Sequence, residues 1–251
     1  MPSRMKDTII KEKNEALDPL FSAGAHIAYS KSRRHPSVKN YIFGRKEGLE
    51  IFDLEKTKAR LEEALSFVAE LSSKGKIILF VGTKPEARRF VKAAALRVSM
   101  PYVAARWIGG TLSNFEQIKR RLARFAELRE AKEKPELLEK YTKRERLTIY
   151  RELEDLEKRF RGLENLVKLP DALVVVDSQK EKTAVTEARR LGIPVVALSN
   201  SDCDITGITW PVIGNDASAK SIEFFVEAVV TAYLNGQREK EKALKTTEET
   251  A

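Results

Sequence analysis

The stretch KIILFVGTKPEARRFVKAAALRV at 76–98 decides the fold. Its first six residues, 76–81, form a short apolar run of the kind that makes a strand buried on both faces. The residues after Gly82 switch to helical spacing. Thr83 with Glu86 three residues on fits a capping box, and Pro85 suits a first turn because its missing N–H would be unpaired there anyway. PYVAA at 101–105 reads as the next strand. The same order returns downstream as DALVVVD (171–177), a helix over 178–192 and IPVVAL (193–198). Alternation of this kind predicts an α/β domain built on a parallel sheet with helices on both faces.

Working outward, residues 41–53 alternate around a Gly-containing turn and predict a small hairpin, after which Asp53 caps a helix reaching about Ser73. Leu54, Leu61, Ala64, Leu65 and Val68 give that helix one apolar face. A last helix is predicted from about Ala217 to Asn235, with Gly236 as its C′ residue and a disordered tail over 237–251. Residues 1–16 are an N-terminal extension, and 17–111 with 167–236 make the α/β domain.

Between the two halves lies a long segment, 112–166, that no sheet connection requires. Phe115, Ile118, Leu122 and Phe125 are spaced three and four apart, as are Ile149, Leu153, Leu156, Phe160, Leu163 and Val167, which is heptad spacing. Ser113 with Glu116 and Thr142 with Glu145 offer capping boxes, and Pro135 separates the two seams. The reading is an inserted antiparallel coiled-coil helical hairpin. Helices of about twenty residues would project it roughly 30 Å. Residues 111–166 carry a net charge of only +3, so most of its charges belong to a solvated, salt-bridged surface.

The chain has 251 residues, with 46 Lys plus Arg against 37 Asp plus Glu, a formal charge of +9. Its distribution says more than its size. His26 to Lys46 holds Lys31, Arg33, Arg34, Lys39, Arg45 and Lys46 and no carboxylate. Lys84 to Arg121, which includes Arg88, Arg89, Lys92, Arg106 and Lys119, sets nine cations against Glu86 and Glu116, whereas 170–251 is net −4. A polyanion would meet the first half of the fold. No apolar stretch approaches the roughly 18 residues of a membrane span, and the N-terminus lacks a signal-peptide pattern, so a cytoplasmic protein is expected. One cysteine, Cys203, and two histidines exclude a Cys/His zinc cluster, and no metal or cofactor is expected.

The ends of the strands place Gly82, Thr83, Lys84, Asp177, Ser199 and Asn200 on one rim, where open parallel sheets bind ligands. Gly-Thr-Lys before a helix could hold a phosphate, but it has neither dinucleotide nor P-loop spacing, and tight-turn and capping roles suit Gly82, Thr83 and Asp177 better. His26 and His35 could do acid–base work, yet no carboxylate between them orients either ring, so phosphate contact or packing outweighs catalysis. Asp202 and Asp204 raise the pKa of Cys203, which is assigned no reactivity. Arg106 and Trp107 before Gly109–Gly110 support two readings equally: stacking on bases and riboses, or plugging the base of the hairpin.

In GAHIAYSKSRRHPSVKNYIFGRKEGLEIFDLEKT (24–57), ILFVGTK (78–84), MPYVAARWIGGTLSNF (100–115), LPDALVVVD (169–177), LGIPVVAL (191–198) and PVIGND (211–216), the chain resembles the bacterial small-ribosomal-subunit protein S two family over about 17–236. The resemblance implies a Rossmann-like domain without catalysis plus the coiled-coil hairpin. It also implies binding to small-subunit rRNA and to neighbouring ribosomal proteins, in many bacteria including the large mRNA-binding one, with no membrane and no small-molecule substrate. Lys31, Arg33, Arg34, His35, Lys39, Arg45, Lys46, Lys84, Arg106, Trp107 and Lys119 are the expected RNA-facing residues. The chain departs from the family pattern at Ala28-Tyr29, at Arg34-His35-Pro36, at Ser199-Asn200-Ser201 and at Asp216-Ala217; Arg34 and His35 would there replace stacking by phosphate contact. Two readings from other classes stay open, a phosphometabolite enzyme at Gly82, Thr83, Lys84 and Asp177, and a protein-docking scaffold.

Overall fold

A computed structural model describes residues 17–134 and 141–249, with side chains to 242. The N-terminal extension and the Pro135 break lie outside the described residues. After a short helical segment, α1 (17–22), the order is β1 (Ile27–Ser30), β2 (Ile42–Lys46), β3 (Leu49–Phe52), α2 (Leu54–Ser73), β4 (Ile78–Val81), α3 (Pro85–Arg97), β5 (Tyr102–Val103), α4 (Phe115–Glu133), α5 (Lys143–Phe160), β6 (Ala172–Val176), α6 (Lys182–Arg190), β7 (Val195–Ser199), β8 (Trp210–Ile213) and α7 (Ala219–Glu249). Turns of 3-10 helix at Lys31–Arg33 and Pro36–Tyr41 join β1 to β2.

Five parallel strands form the main sheet in the order β5-β4-β6-β7-β8. Alternate residues along each strand enter two different cores. Ile78, Phe80, Val174, Val176, Val196 and Leu198 pack against α2, α3 and α7, while Leu79, Val81, Leu173, Val175, Val195 and Ala197 pack against α4, α5 and α6. That is why the strands read as unbroken apolar runs. The chain order reverses between β4 and β6, so the crevice used by ligands in such sheets opens above their carboxyl ends.

The hairpin is present as β2–β3, with Glu47 (φ 52°) and Gly48 (φ 83°) supplying the two left-handed positions of a tight turn. Asp53 caps α2 through Oδ1, which accepts from the N–H of Glu55 and Lys56 at 3.1 and 3.4 Å. Two strands went unread. β1 pairs antiparallel with β3, and β8 extends the main sheet despite Pro211, which an edge strand tolerates.

Several local expectations are corrected. Thr83 makes no capping box: its hydroxyl donates to buried Glu181 at 2.6 Å, and α3 starts at Pro85. Ser113 does not cap α4, because its N–H and hydroxyl both donate to Glu187. Gly82 serves a close approach, since a Cβ there would lie 2.7 Å from Cγ2 of Val91 on α3. α7 does not stop at Gly236 but continues to Glu249, taking residues 237–249 of the expected tail with it. Thr142 and Glu145 do form the reciprocal box that opens α5. α4 and α5 bury Phe115, Ile118, Phe125, Leu128, Leu153, Leu156 and Phe160 in one core. Arg161–Leu163 then tighten into 3-10 helix, which shifts the phase: Val167 is 77 % exposed and Leu166 takes the buried place.

Candidate nucleic-acid interface

The first 36 described residues, 17–52, fold back over the strand-end crevice. His35 N–H donates to the Ser201 carbonyl at 2.7 Å, Tyr29 N–H to the Ser201 hydroxyl at 3.1 Å, and Asn215 Nδ2 to the Gly24 carbonyl at 3.1 Å. β1, β3 and β2 thus form a small three-stranded sheet seated on the rim. Val38, Phe52 and Ile213 bury the contact.

Beneath it the rim is filled by its own side chains. Lys84 Nζ donates to Asp177 at 3.1 Å and to Asp216 at 3.3 Å, Asn200 Nδ2 donates to Asp216 at 2.9 Å, and Ser178 and Ser199 bond each other at 2.7 Å. Burial alone would lower the Lys84 pKa, but Asp216 and Asp177 outweigh it and the ammonium is held charged. Sequence reading missed that Asp177, Cys203 and Asp216 bring one ligand-type atom each within 4.8 Å of one another. Burial pushes the Cys203 thiol up to about 12, so it stays protonated, and Lys84 already supplies the cation between the carboxylates. The expected direction for Cys203 holds, with desolvation ahead of the acidic neighbours as its cause.

Asp216 is lifted to about 6, chiefly by burial, then by the charge of Asp177 and against the pull of Lys84 and Asn200. A carboxyl whose folded pKa exceeds its unfolded value stabilises fully below the unfolded value and loses that contribution as pH rises through the folded one. Asp216→Asn should therefore flatten the fall in unfolding free energy that this group produces between about pH 4 and 6. Denaturant titrations across that window check it, and an unchanged slope would place the titration elsewhere.

The expected RNA-facing residues separate into two groups. Arg33 binds Asp202 at 2.9 Å and stacks 3.8 Å over the Tyr29 ring, and Arg34 binds Glu50, itself 3 % exposed, at 2.8 Å. Partly buried His35 uses Nδ1 on Ser37, through its hydroxyl at 2.8 Å and its N–H at 3.3 Å. Lys84 is closed into the rim, and Lys119 pairs with Glu116 at 3.0 Å. Trp107 is buried, its indole N–H donating to Glu187 at 3.2 Å, so its ring packs inward beside the turn that precedes α4. Arg34 and His35 likewise make internal contacts, through one guanidinium nitrogen to Glu50 and through Nδ1 to Ser37. His26 stacks on Phe21 at 4.3 Å, and burial lowers its pKa. Lys31, Lys39, Arg45, Lys46 and Arg106 remain exposed, without a carboxylate partner among the described residues. The first four of these lie on the three-stranded module.

Glu187 was not anticipated as a site residue. Besides Trp107, it accepts from the N–H groups of Gly110, Leu112 and Ser113 at 2.8, 3.0 and 3.1 Å and from the Ser113 hydroxyl at 3.2 Å. Burial would raise its pKa, but those donors hold it below the usual carboxylate value. It fixes the turn from which α4 springs.

The family model described as Ribosomal protein S2 matches residues 20–236. The small ribosomal subunit protein uS2 of Dictyoglomus thermophilum is 41 % identical over 232 residues, covering 92 % of this chain and 94 % of the relative. The uS2 of Coprothermobacter proteolyticus is 39 % identical, covering 88 % and 82 %, and that of Mycobacterium leprae is 40 % identical, covering 86 % and 78 %. With a matching model over most of its length and relatives at this identity, the chain belongs to the ribosomal protein S2 family.

Proposed function

We propose that this protein is a structural constituent of the small ribosomal subunit. It binds small-subunit rRNA through the three-stranded module and meets neighbouring ribosomal proteins, in many bacteria the large mRNA-binding one among them. The observation that carries the RNA contact is the set of four exposed cations, Lys31, Lys39, Arg45 and Lys46, without a carboxylate partner among the described residues, on a module tied by hydrogen bonds to the rim below. Phosphates would neutralise these charges and release counterions. The same module argues against the enzyme reading, since it covers the crevice where a phosphometabolite would sit, and Lys84 is committed to Asp177 and Asp216. The protein is not an enzyme. As a member of a small-subunit ribosomal protein family it would work in the cytoplasm, where bacterial ribosomes are. Among the described residues no helix is long and apolar enough to cross a membrane.

In this reading 17–111 and 167–236 are the body, and 112–166 is an inserted unit in which α4 and α5 pair as an antiparallel coiled coil. The buried seam from Phe115 to Phe160 supports that pairing. Filter binding to full-length small-subunit rRNA over a range of salt tests the RNA contact. Lys39→Glu with Arg45→Glu and Lys46→Glu should weaken binding and reduce the log–log salt slope by about 2 to 3. A slope equal to that of the parent would remove the module from the interface.

A further inference from the structure

A second cationic surface shares no residue with the module. α3, the edge strand β5 and the end of α5 enclose a groove of about 560 Å³ lined by Arg88, Arg89, Lys92, Lys158, Arg159 and Arg161 on its charged walls. Two carboxylates share the lining, Glu154 and Glu157, and each is already neutralised, by Lys158 at 2.8 Å and Arg161 at 3.2 Å. Arg88, Arg89, Lys92 and Arg159 have no carboxylate partner among the described residues, which leaves the groove four positive charges in excess. Arg88 is anchored by donating Nε–H to the Thr83 carbonyl at 2.9 Å, and the Arg89 guanidinium lies 4.4 Å over the Phe90 ring.

The floor is built closely. A Cβ on Gly162 would fall 2.2 Å from the Tyr102 carbonyl oxygen and 2.8 Å from its ring, so only glycine lets the 3-10 turn after α5 close onto β5. That contact sets the two cationic walls against each other. Their arrangement tells against a compact ligand, because small-molecule sites converge a few buried polar groups on one point. Here the free cations are exposed and spread along α3 and α5. Arg88 and Lys92, four apart on α3, share one helix face. Such rows match a run of linked phosphates.

We propose that this groove is a second RNA-binding surface, taking the sugar-phosphate backbone of an rRNA strand through Arg89, Lys92 and Arg159 independently of the three-stranded module. It rests on the ribosomal reading above, and it makes the root of the α4–α5 insertion a contact as well as a connection.

The test compares full-length protein carrying Arg89→Glu, Lys92→Glu and Arg159→Glu with the module variant and with a control reversing exposed Lys182, Arg190 and Lys220. Melting curves confirm that each is folded, and a set with Gln in place of Glu repeats the measurement without reversed charge. The groove variant should bind full-length small-subunit rRNA about tenfold or more weakly at physiological salt, with a slope smaller by about 2 to 3. Equal weakening in the control set would mean general field rather than a site, and would overturn the groove. Binding unchanged in the groove variant but weakened in the module variant would overturn the groove alone and leave the ribosomal reading standing. Binding unchanged in both would remove both surfaces. Calorimetry of the parent with a nucleoside triphosphate separates the sources of phosphate: saturable binding lost in the groove variant, with rRNA binding intact, would assign the groove to free nucleotides and overturn the proposal.

Discussion

Glu187→Ala is expected to lower the unfolding free energy by about 3 to 5 kcal/mol, a loss of the size seen when a buried charged acceptor is removed. One carboxylate, 6 % exposed, serves five donors from the turn between Trp107 and Ser113. Its deletion leaves three backbone N–H groups, an indole and a hydroxyl to find other partners, and the Trp107 indole and Leu112 N–H among them belong to buried residues. Glu187→Gln should fall between Ala and the parent, since an amide keeps one accepting oxygen but turns an NH2 toward N–H groups that also donate. Urea unfolding followed by tryptophan fluorescence reads both, because Trp107 is one of only two tryptophans. A change below about 1 kcal/mol for Ala would show that the turn is held by its backbone alone. The pH sign is the reverse of that at Asp216. The Glu187 pKa is lowered on folding, so its contribution is present above the unfolded carboxylate value and is lost as pH falls through the folded one. Loss of the turn also frees the start of α4, so a variant that remains folded should show faster proteolysis in 112–134 than in the sheet.

The sheet was legible because burial on both faces leaves strands as unbroken apolar runs, and the hairpin over 41–53 because its turn calls for a glycine, here Gly48 at φ 83°. β8 escaped, being four residues with a proline, in a strand that only the neighbouring β7 makes recognisable. The exposed cations Lys39, Arg45 and Lys46 could be read as a charge run, but Arg33 and Arg34 could not be told from them. Their partners Asp202 and Glu50 stand 169 and 16 residues away, and no local pattern announces such pairs. Glu187 did leave a signal. It stands between Ala184 and Ala188 on the buried side of α6, and a carboxylate in that stripe must be paired. Which donors pair it depends on a turn more than seventy residues earlier in the chain.

Gly236→Ala should destabilise the protein by about 2 to 4 kcal/mol, against the direction that helix propensity alone gives. In an open helix interior, alanine is favoured over glycine by about 1 kcal/mol. Gly236, however, is buried where α7 crosses α2, and a Cβ there would lie 2.2 Å from the Ala69 carbonyl oxygen and 2.9 Å from Ser72 Cβ. Both are atoms that no rotamer change can move, a backbone oxygen and a Cβ, so the helices must part. Parting them stretches the bond from the Ser72 hydroxyl to the Tyr233 carbonyl, 2.6 Å and buried, and opens the core that Val68, Val229 and Tyr233 share. The glycine that looked like a helix end is thus the point that lets the helix continue past α2. Gly109→Ala supplies the comparison, since a Cβ there meets nothing within 4 Å, and it should change stability by no more than about 0.5 kcal/mol. Thermal or urea unfolding of the two variants decides the matter: a Gly236→Ala protein as stable as the parent or more so would mean that α2 and α7 can separate without loss.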